Sequence, residues 1–356
     1  ENLHELDSLS GLWRAAPPST PGAGATWTKV MQPLPMQNYE SPTWFFTVDG
    51  KPGTIYGIMN IITTGDYELV ESRDGGATWT DGRPLAGYVF KAVQVGNGLA
   101  FLTHQPVQGA DGGRPTEVGT WFLADITAAN PIPVELAPRV AVPANHYSEI
   151  SSRLNILPMD DGFVVIMSLD DTAWRSGRLD IRRYDASGTL VDSWVTGTRE
   201  YMEMDVSTAV ITDWGAGPGP GILMLRNEAM GPGMRYVADY SDDLFRTESE
   251  STLPEYWEPP VKTVRFNDGR VAALGTWNVA DDLERAAWTV TSDGQTWSAP
   301  VLLRPEGGFD QEIWGAAPTP DGQVVVILGD NQLLRAGGNG INQVMDAVAI
   351  RLPQAE

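Results

Sequence analysis

The sequence predicts an all-β fold, a six-bladed β-propeller with four-stranded blades, in which an N-terminal strand closes the last blade. Three observations predict it. Glycine (38) and proline (26) are abundant, and no long segment carries the 3.6-residue apolar period of a helix. One acidic turn recurs along the chain. A second turn series interleaves with it in the same phase. Self-similarity at a period of some tens of residues, with several strands per unit, is the mark of blades set around a channel. A pair of β-sandwiches would need both series to keep phase by coincidence.

The first series is clearest at Ser72-Arg73-Asp74-Gly75-Gly76-Ala77-Thr78-Trp79 and at Thr291-Ser292-Asp293-Gly294-Gln295-Thr296-Trp297. Each follows an apolar strand. The Asp accepts hydrogen bonds from the amides of its own turn, glycine takes positive φ, and the Trp folds back as an apolar plug. Degenerate copies turn near Asp125, Asp185 and Asp242, so the intervals from Asp74 to Asp293 are 51, 60, 57 and 51 residues. The second series reads Asp49-Gly50, Gly96-Asn97-Gly98, Asp160-Asp161-Gly162, Gly215 to Gly221, Asn267-Asp268-Gly269 and Asp321-Gly322. Asn-Gly and Asp-Gly between apolar runs are hairpin turns. Six of them set six blades.

The chain ends complete the count. The last unit has three clear strands, finishing near Leu352. Gly24-Ala25-Thr26-Trp27-Thr28 matches Gly76-Ala77-Thr78-Trp79-Thr80, so this segment is expected to be the outer strand of the last blade. Residues 1–20 are then a surface arm, with Pro17-Pro18 and Pro21-Gly22 as linker, and residues 21–356 the propeller. Closure of this kind removes exposed strand edges.

Composition narrows the function. Asp and Glu total 46 against 24 Lys and Arg, a net charge of −22. Such a surface repels phosphate backbones and anionic lipid, which argues against nucleic acid, and it suits cations or a neutral substrate. There is no cysteine, so thiol chemistry is excluded. No apolar run is long enough for a membrane span. The chain opens at Glu1 without a methionine, and export to a secreted, periplasmic or cell-surface location is the expectation. Trp is common, with 13 copies, and its ring can fill cores or stack on sugar faces.

In a propeller, the loops from the second strand to the third, and from the fourth to the next blade, share one face. Function is expected there. That face carries its own repeat: Tyr39-Glu40, Tyr147-Ser148-Glu149, Tyr201-Met202-Glu203, Tyr256-Trp257-Glu258 and Gln311-Glu312. The glutamates are spaced 109, 54, 55 and 54 residues apart, and the skipped blade has only Tyr88 near the equivalent place. Five of six blades thus present a carboxylate at the channel mouth. Three readings stand side by side. Clustered carboxylates raise one another's pKa, so that one serves as acid and another as base or nucleophile of glycoside hydrolysis. Converging oxygens could instead hold Ca²⁺. Or each Glu ties the amides of a neighbouring blade as a repeated structural device.

Other polar residues fall on the same face. His104 and His146 are two of three histidines. Arg153, Arg226, Asp282 and Arg285 are candidates for hydroxyl or carboxylate contacts, and Trp257 and Trp314 for sugar stacking, although any single Trp can equally pack between blades.

The Ser-x-Asp-x-Gly-x-Thr-Trp pattern at Ser72 to Trp79 resembles the Asp-box, or BNR repeat, of the sialidase-like β-propellers. The copy at Asp293 is one residue shorter. The resemblance implies a hairpin device placed away from the substrate face. It also implies a Tyr–Glu nucleophile pair, for which Tyr201 with Glu200 or Glu203 and Tyr256 with Glu255 or Glu258 qualify, and an arginine triad, for which Arg153, Arg226 and Arg285 qualify. The early Arg-Ile-Pro signature of sialidases does not occur. Asp-boxes are shared by hydrolases, lyases and binding proteins.

These residues together predict an exported, carbohydrate-active protein. The preferred chemistry is glycoside hydrolysis by two carboxylates from Glu149, Glu203 and Glu258, assisted by Tyr201 or Tyr256. Glu40, His146, Arg153, Arg226, Trp257, Asp282, Arg285, Glu312 and Trp314 would contact the sugar. A noncatalytic glycan- or protein-binding propeller is the first alternative. A Ca²⁺-dependent lactonase-type hydrolase is the second.

Overall fold

The structure is a computed structural model. It describes residues 13–15, 27–29, 44–48, 50–51, 53–61, 64–80, 82–106, 115–136, 139–141, 153–170, 176–197, 199–200, 206–214, 220–230, 233–247, 249–254, 257–279, 283–303, 310–318, 324–333 and 341–350. These residues are built almost wholly of antiparallel strands, in consecutive up-and-down sheets.

Sheet I contains Trp44–Phe46, Ile55–Asn60, Tyr67–Ser72 and Arg83–Pro84. Sheet II contains Tyr88–Val95, Gly98–Pro106, Pro115–Leu123 and Val134–Glu135, with Val140–Ala141 also paired to its third strand. Sheet III contains Leu154–Met159, Gly162–Asp170, Ser176–Asp185 and Leu190–Val195, with Arg199–Glu200 also on its third strand. Sheet IV contains Val210–Thr212, Gly221–Met230, Gly233–Ser241 and Ser249–Thr252, preceded by a single 3₁₀ turn at Val206–Thr208. Sheet V contains Trp257–Arg265, Val271–Val279, Leu283–Thr291 and Val301–Leu302. Sheet VI has three strands, Asp310–Pro318, Val324–Leu333 and Ile341–Ile350.

Among the described residues, the expected closure of the last sheet by the N-terminal strand is not found. Trp27–Lys29 pairs instead with Trp13–Ala15, from within the expected arm, as a two-stranded ribbon. Pairing across a short intervening segment closes a far smaller loop than pairing across the chain, and loop-closure entropy favours it.

The chain divides into two compact units. One holds the ribbon, sheets I and II, and residues 154–166 and Ile181–Trp194 of sheet III. The other holds the rest of sheet III with sheets IV, V and VI.

Within each unit, sheets pack face to face on their neighbours in sequence. The second strand of sheet V shows why. Val271 and Ala273 belong to a core with Leu223, Leu225 and Tyr236 of sheet IV. Ala272 and Leu274 belong to a core with Ile313, Val324 and Val326 of sheet VI. Successive side chains point to opposite faces of a strand, so an unbroken apolar run buries both faces. In the other unit, Ile58 and Leu69 of sheet I pack with Val89, Leu99 and Phe101 of sheet II. Phe122 of sheet II stacks on Phe163 of sheet III at 5.8 Å.

Among the described residues, the glycine turns at Gly50, Gly96 to Gly98, Asp160 to Gly162 and Asn267 to Gly269 join first strand to second, and the acidic turns join third strand to fourth. In an antiparallel meander these connections lie at one end of each sheet. Asp49, residues 215–219, Asp321 and Gly322 lie outside the described residues. In sheet I, Asp74 Oδ1 accepts from Thr78 N at 2.8 Å and from Ser72 Oγ at 2.9 Å, Asp74 Oδ2 accepts from Thr78 Oγ1 at 2.6 Å, and Gly76 N donates to Ser72 Oγ at 2.8 Å. Sheet IV repeats this network. Asp243 Oδ1 accepts from Thr247 N at 2.8 Å and Ser241 Oγ at 2.7 Å, Asp243 Oδ2 accepts from Thr247 Oγ1 at 2.7 Å, and Phe245 N donates to Ser241 Oγ at 2.9 Å. The turning residue there is Asp243, not the expected Asp242, because only Asp243 has Ser two residues before and Thr four after. Asp125, Asp185 and Asp293 likewise accept amides of their own turns, from Thr127, from Ser187 and Thr189, and from Gln295 and Thr296.

The copy in sheet IV is hidden by its φ angles. Gly75 and Gly76 take φ of 71° and 95°, and Leu244 and Phe245 take 57° and 63° at the same two places. Both side chains are buried. A left-handed L-residue costs about 1–2 kcal/mol, and burial of two large apolar side chains outweighs it. Outer strands are mostly short, two residues in sheets I, II and V. Sheet III differs, with a six-residue outer strand on which Leu190, Val191 and Val195 are exposed.

Two predictions follow from the turns. Leu244→Gly relieves φ strain yet lowers stability in chemical denaturation, since removing a buried Leu costs about 2–5 kcal/mol. A gain in stability would show that strain dominates. Hydrogen bonds from Thr78, side chain then amide, hold the Asp74 carboxyl down at about 2. Stability from this turn is therefore complete above about pH 4 and lost as pH falls towards about 2. In Thr78→Val the carboxyl moves up towards its ordinary value. Stability at neutral pH drops, and its decline across that acid window flattens, as read by unfolding curves at stepped pH.

Candidate functional site

The other end of each sheet gathers the heads of first strands and the ends of second strands. The sequence predicts function there. In sheet II, Tyr88 opens the first strand and pairs with His104 near the end of the second. Their rings stack at 4.2 Å, Tyr67 of sheet I meets Tyr88 edge-on at 4.9 Å, and Phe90 lies 5.8 Å from His104. Tyr88 is 41% exposed. Burial among these rings pushes the half-buried His104 imidazole below the ordinary histidine range, so it is neutral at pH 7. The cluster is an uncharged aromatic platform with a phenol and an imidazole at its rim.

Among the described residues, the head of the first strand is irregular in sheets II, V and VI. The register shifts between Val89 and Lys91 in sheet II, between Glu258 and Lys262 in sheet V, and between Ile313 and Gly315 in sheet VI. The residues at these heads are Tyr88, Glu258 and Glu312, members of the sequence repeat or its stand-in. A β-bulge leaves one residue unpaired, bends its strand and re-aims nearby side chains. In sheet IV the head leaves the ladder through the 3₁₀ turn, whose Thr208 Oγ1 accepts from Leu225 N at 2.9 Å in place of a strand partner.

The remaining candidates divide into three groups. Trp257, Glu258, Glu312 and Trp314 are placed by their strands. Trp257 lies opposite Trp277, which lies opposite Arg285, so one row crosses sheet V with two Trp positions and an Arg. Glu258 lies opposite Thr276, Glu312 opposite Gly329, and Trp314 within the bulge of sheet VI. Arg153, Arg226 and Arg285 have described side chains; Arg153 is buried at the head of sheet III. Glu40, His146, Glu149, Tyr201, Glu203, Tyr256 and Asp282 lie outside the described residues.

Arg226 is engaged within sheet IV. Its Nε donates to both carboxylate oxygens of Asp239 at 3.0 Å, and another guanidinium nitrogen donates to Glu250 Oε1 at 2.8 Å. Asp239 is fully buried. Arg226, Asp239 and Glu250 come from the second, third and fourth strands, so the triad ties three strands together. Reading the sequence missed Asp239 and Glu250, although both fall on strands already anticipated.

Among the described residues, no group of three or more His, Asp or Glu side chains is placed to hold a metal ion. Among the same residues, no helix is long and apolar enough to cross a membrane.

The sequence matches no family model and no curated protein. Among solved structures, the chain is similar to a protein of unknown function from Dyadobacter fermentans DSM 18053, at TM-score 0.50 and 14% identity, over 89% of this chain and 97% of that one. It is also similar to the β-propeller domain of the Trilobed protease from Pyrococcus furiosus, at TM-score 0.48 and 10% identity, over 85% of this chain and 82% of that one. A third is an α-L-arabinofuranosidase from Fusarium graminearum, at TM-score 0.48 and 12% identity, over 86% and 91%. The likeness to the first bears on the fold alone.

Arg226→Leu leaves the Asp239 carboxylate buried without its partner. The expected loss is about 3–5 kcal/mol of folding stability, and Arg226→Leu with Asp239→Leu restores most of it. Thermal unfolding of the single and double variants checks this. An unchanged midpoint in the single variant would return Arg226 to the ligand-binding candidates.

Proposed function

We propose that the six sheets are the blades of one β-propeller, formed by residues 21–356. In this reading the chain is an exported glycoside hydrolase that works at the heads of the first strands. One observation carries the proposal. Glu258 and Glu312 take corresponding places at the heads of sheets V and VI, each beside a register shift. Glu149 and Glu203 continue that series at the same interval.

The chemistry asks for two carboxylates in unlike environments. The reacting pair is drawn from Glu149, Glu203 and Glu258. One, kept protonated by its neighbours, gives its proton to the leaving oxygen of the glycosidic bond. The other, ionised, activates water or attacks the sugar carbon. Tyr201 or Tyr256 assists the ionised member, and Trp257 and Trp314 line the sugar. Glu40, His146, Arg153, Asp282, Arg285 and Glu312 complete the contacts.

A noncatalytic glycan-binding reading draws on a different observation, the exposed Tyr88 stacked on neutral His104, which suits a sugar face and supplies no strong acid or base.

Turnover of a panel of aryl glycosides and arabino-, xylo- and sialo-oligosaccharides tests the proposal. Glu→Gln at two of positions 149, 203 and 258 should lower kcat by about 100-fold to 10,000-fold with thermal unfolding unchanged. Retained binding with no turnover of any substrate favours the binding module. Turnover abolished by a chelator and restored by Ca²⁺ favours the lactonase-type alternative. Equal loss of thermal stability in Glu→Gln variants at 40, 149, 203, 258 and 312 makes the repeat architectural.

A further inference from the structure

The turn end of the sheets holds a second feature. In sheets IV and V, the acidic turns at residues 241–247 and 291–297 bound a cavity of about 380 Å³. It lies at the opposite end of these sheets from the first-strand heads. Its volume falls within the roughly 300–1,000 Å³ of small-molecule sites. Two aromatic residues line it, Trp214 and Tyr240, together with Asp242, Ser292, Asp293 and Gln295.

The walls are fixed. Trp214 donates its indole N–H to the Gly269 carbonyl at 2.8 Å. Tyr240 stands on the third strand of sheet IV, between Leu223 and Ser249. Gly294, at φ +73°, lies against both rings: a Cβ there would stand 2.7 Å from Trp214 Cζ3 and 2.7 Å from Tyr240 Cγ. The turn of sheet V is tied down to sheet IV. Trp297 Nε1 donates to Ser251 Oγ at 3.0 Å, and Ser251 Oγ donates to the Gly294 carbonyl at 2.5 Å. Bare backbone at Gly294 thus lets two held rings line one pocket.

The polar groups select the ligand. Asp293 Oδ1 serves its own turn. Asp242 takes no part in the network of the sheet IV turn and stands exposed at the cavity edge. Two carboxylates and a chain charge of −22 disfavour any anionic guest. A purely apolar guest would strip water from those carboxylates without replacing it. A neutral sugar satisfies both demands, since its C–H face packs on aromatic rings while its hydroxyls donate to carboxylates.

We infer that this cavity is a second carbohydrate site, separate from the first-strand heads. It holds one neutral sugar residue against Trp214 and Tyr240, with hydroxyls donating to Asp242. The site performs no chemistry and needs none of the glutamates of the proposed function, so each can fail without the other. It would tether the protein to a neutral polysaccharide by its turn end.

The test uses full-length protein with ¹⁵N-labelled indole groups, titrated with short neutral oligosaccharides of the cello-, xylo-, manno- and arabino- series, with sialyllactose as the anionic control. The Trp214 resonance is assigned by its loss in Trp214→Phe. The expected result is a saturable shift of that resonance with at least one neutral series and none with sialyllactose. Asp242→Ala, an exposed change that leaves folding intact, weakens binding by about tenfold or more, as loss of a charged hydrogen-bond acceptor should. Glu258→Gln leaves it unchanged. No shift with any neutral series overturns the inference. So does a shift untouched by Asp242→Ala, or one abolished by Glu258→Gln, or one produced by Ca²⁺ and by no sugar.

Discussion

A sheet whose central strands are apolar on both faces cannot end against water. Val271-Ala272-Ala273-Leu274 makes the point in four residues: two belong to the core shared with sheet IV and two to the core shared with sheet VI. Covering both faces demands another sheet on each side, and each of those sheets has the same need in turn. Stacking of successive meanders is the direct answer to that demand. The proposed sites are set at strand ends, because most of the middles are committed to packing.

The turns turn this stacking into a defined geometry. An aspartate that accepts the amides and hydroxyl of its own turn fixes where the third strand stops and the fourth begins. Trp297, the aromatic that closes the sheet V turn, donates to Ser251 on sheet IV, so the same loop also positions the neighbouring sheet. Low carboxyl pKa values at Asp74, Asp125 and Asp185 follow from these donors, with the Thr or Ser partner as the largest cause. At Asp243 and Asp293 burial pushes the carboxyl up, but the turn's hydrogen bonds outweigh it and leave both below the ordinary range. The first-strand heads at the other end inherit their placement from these fixed corners.

How much of this was legible depends on the kind of signal. Asp-Gly and Ser-x-Asp turns are local, and among the described residues they located the first-to-second connections of sheets I, II, III and V and the third-to-fourth connections of sheets I to V. Where a turn departed from its glycine form, legibility failed: Leu244 and Phe245 occupy the left-handed positions that glycine would mark, so the turn was placed at Asp242 and not at Asp243. Register was legible only as far as the first irregularity. Counting back from the pair Val95 and Gly98 puts Tyr88 opposite Gln105, and the bulge between Val89 and Lys91 moves it to His104. A shift of one residue exchanges the faces of a strand, so the aromatic stack could not be read from spacing. The N-terminal strand was recognised by its match to Gly76 to Thr80, but a match does not name a partner, and a nearby segment took it. For Arg226 the sequence shows a charge on a strand and does not show that Asp239 on the next strand pairs with it.

The outer strand of sheet III carries a consequence of its own. In sheets I, II and V the outer strands are only two residues long, and Pro84 lacks the N–H that a fifth strand would need. Leu190–Val195 is long, bears exposed Leu190, Val191 and Val195, and has only Asp192 as a charge along its length. Among the described residues no strand pairs with its outer edge, which could accept a strand from another molecule. The large negative charge of the whole chain keeps copies apart in dilute buffer. High salt shortens the reach of that repulsion, and this seam is then where colloidal association of the protein begins.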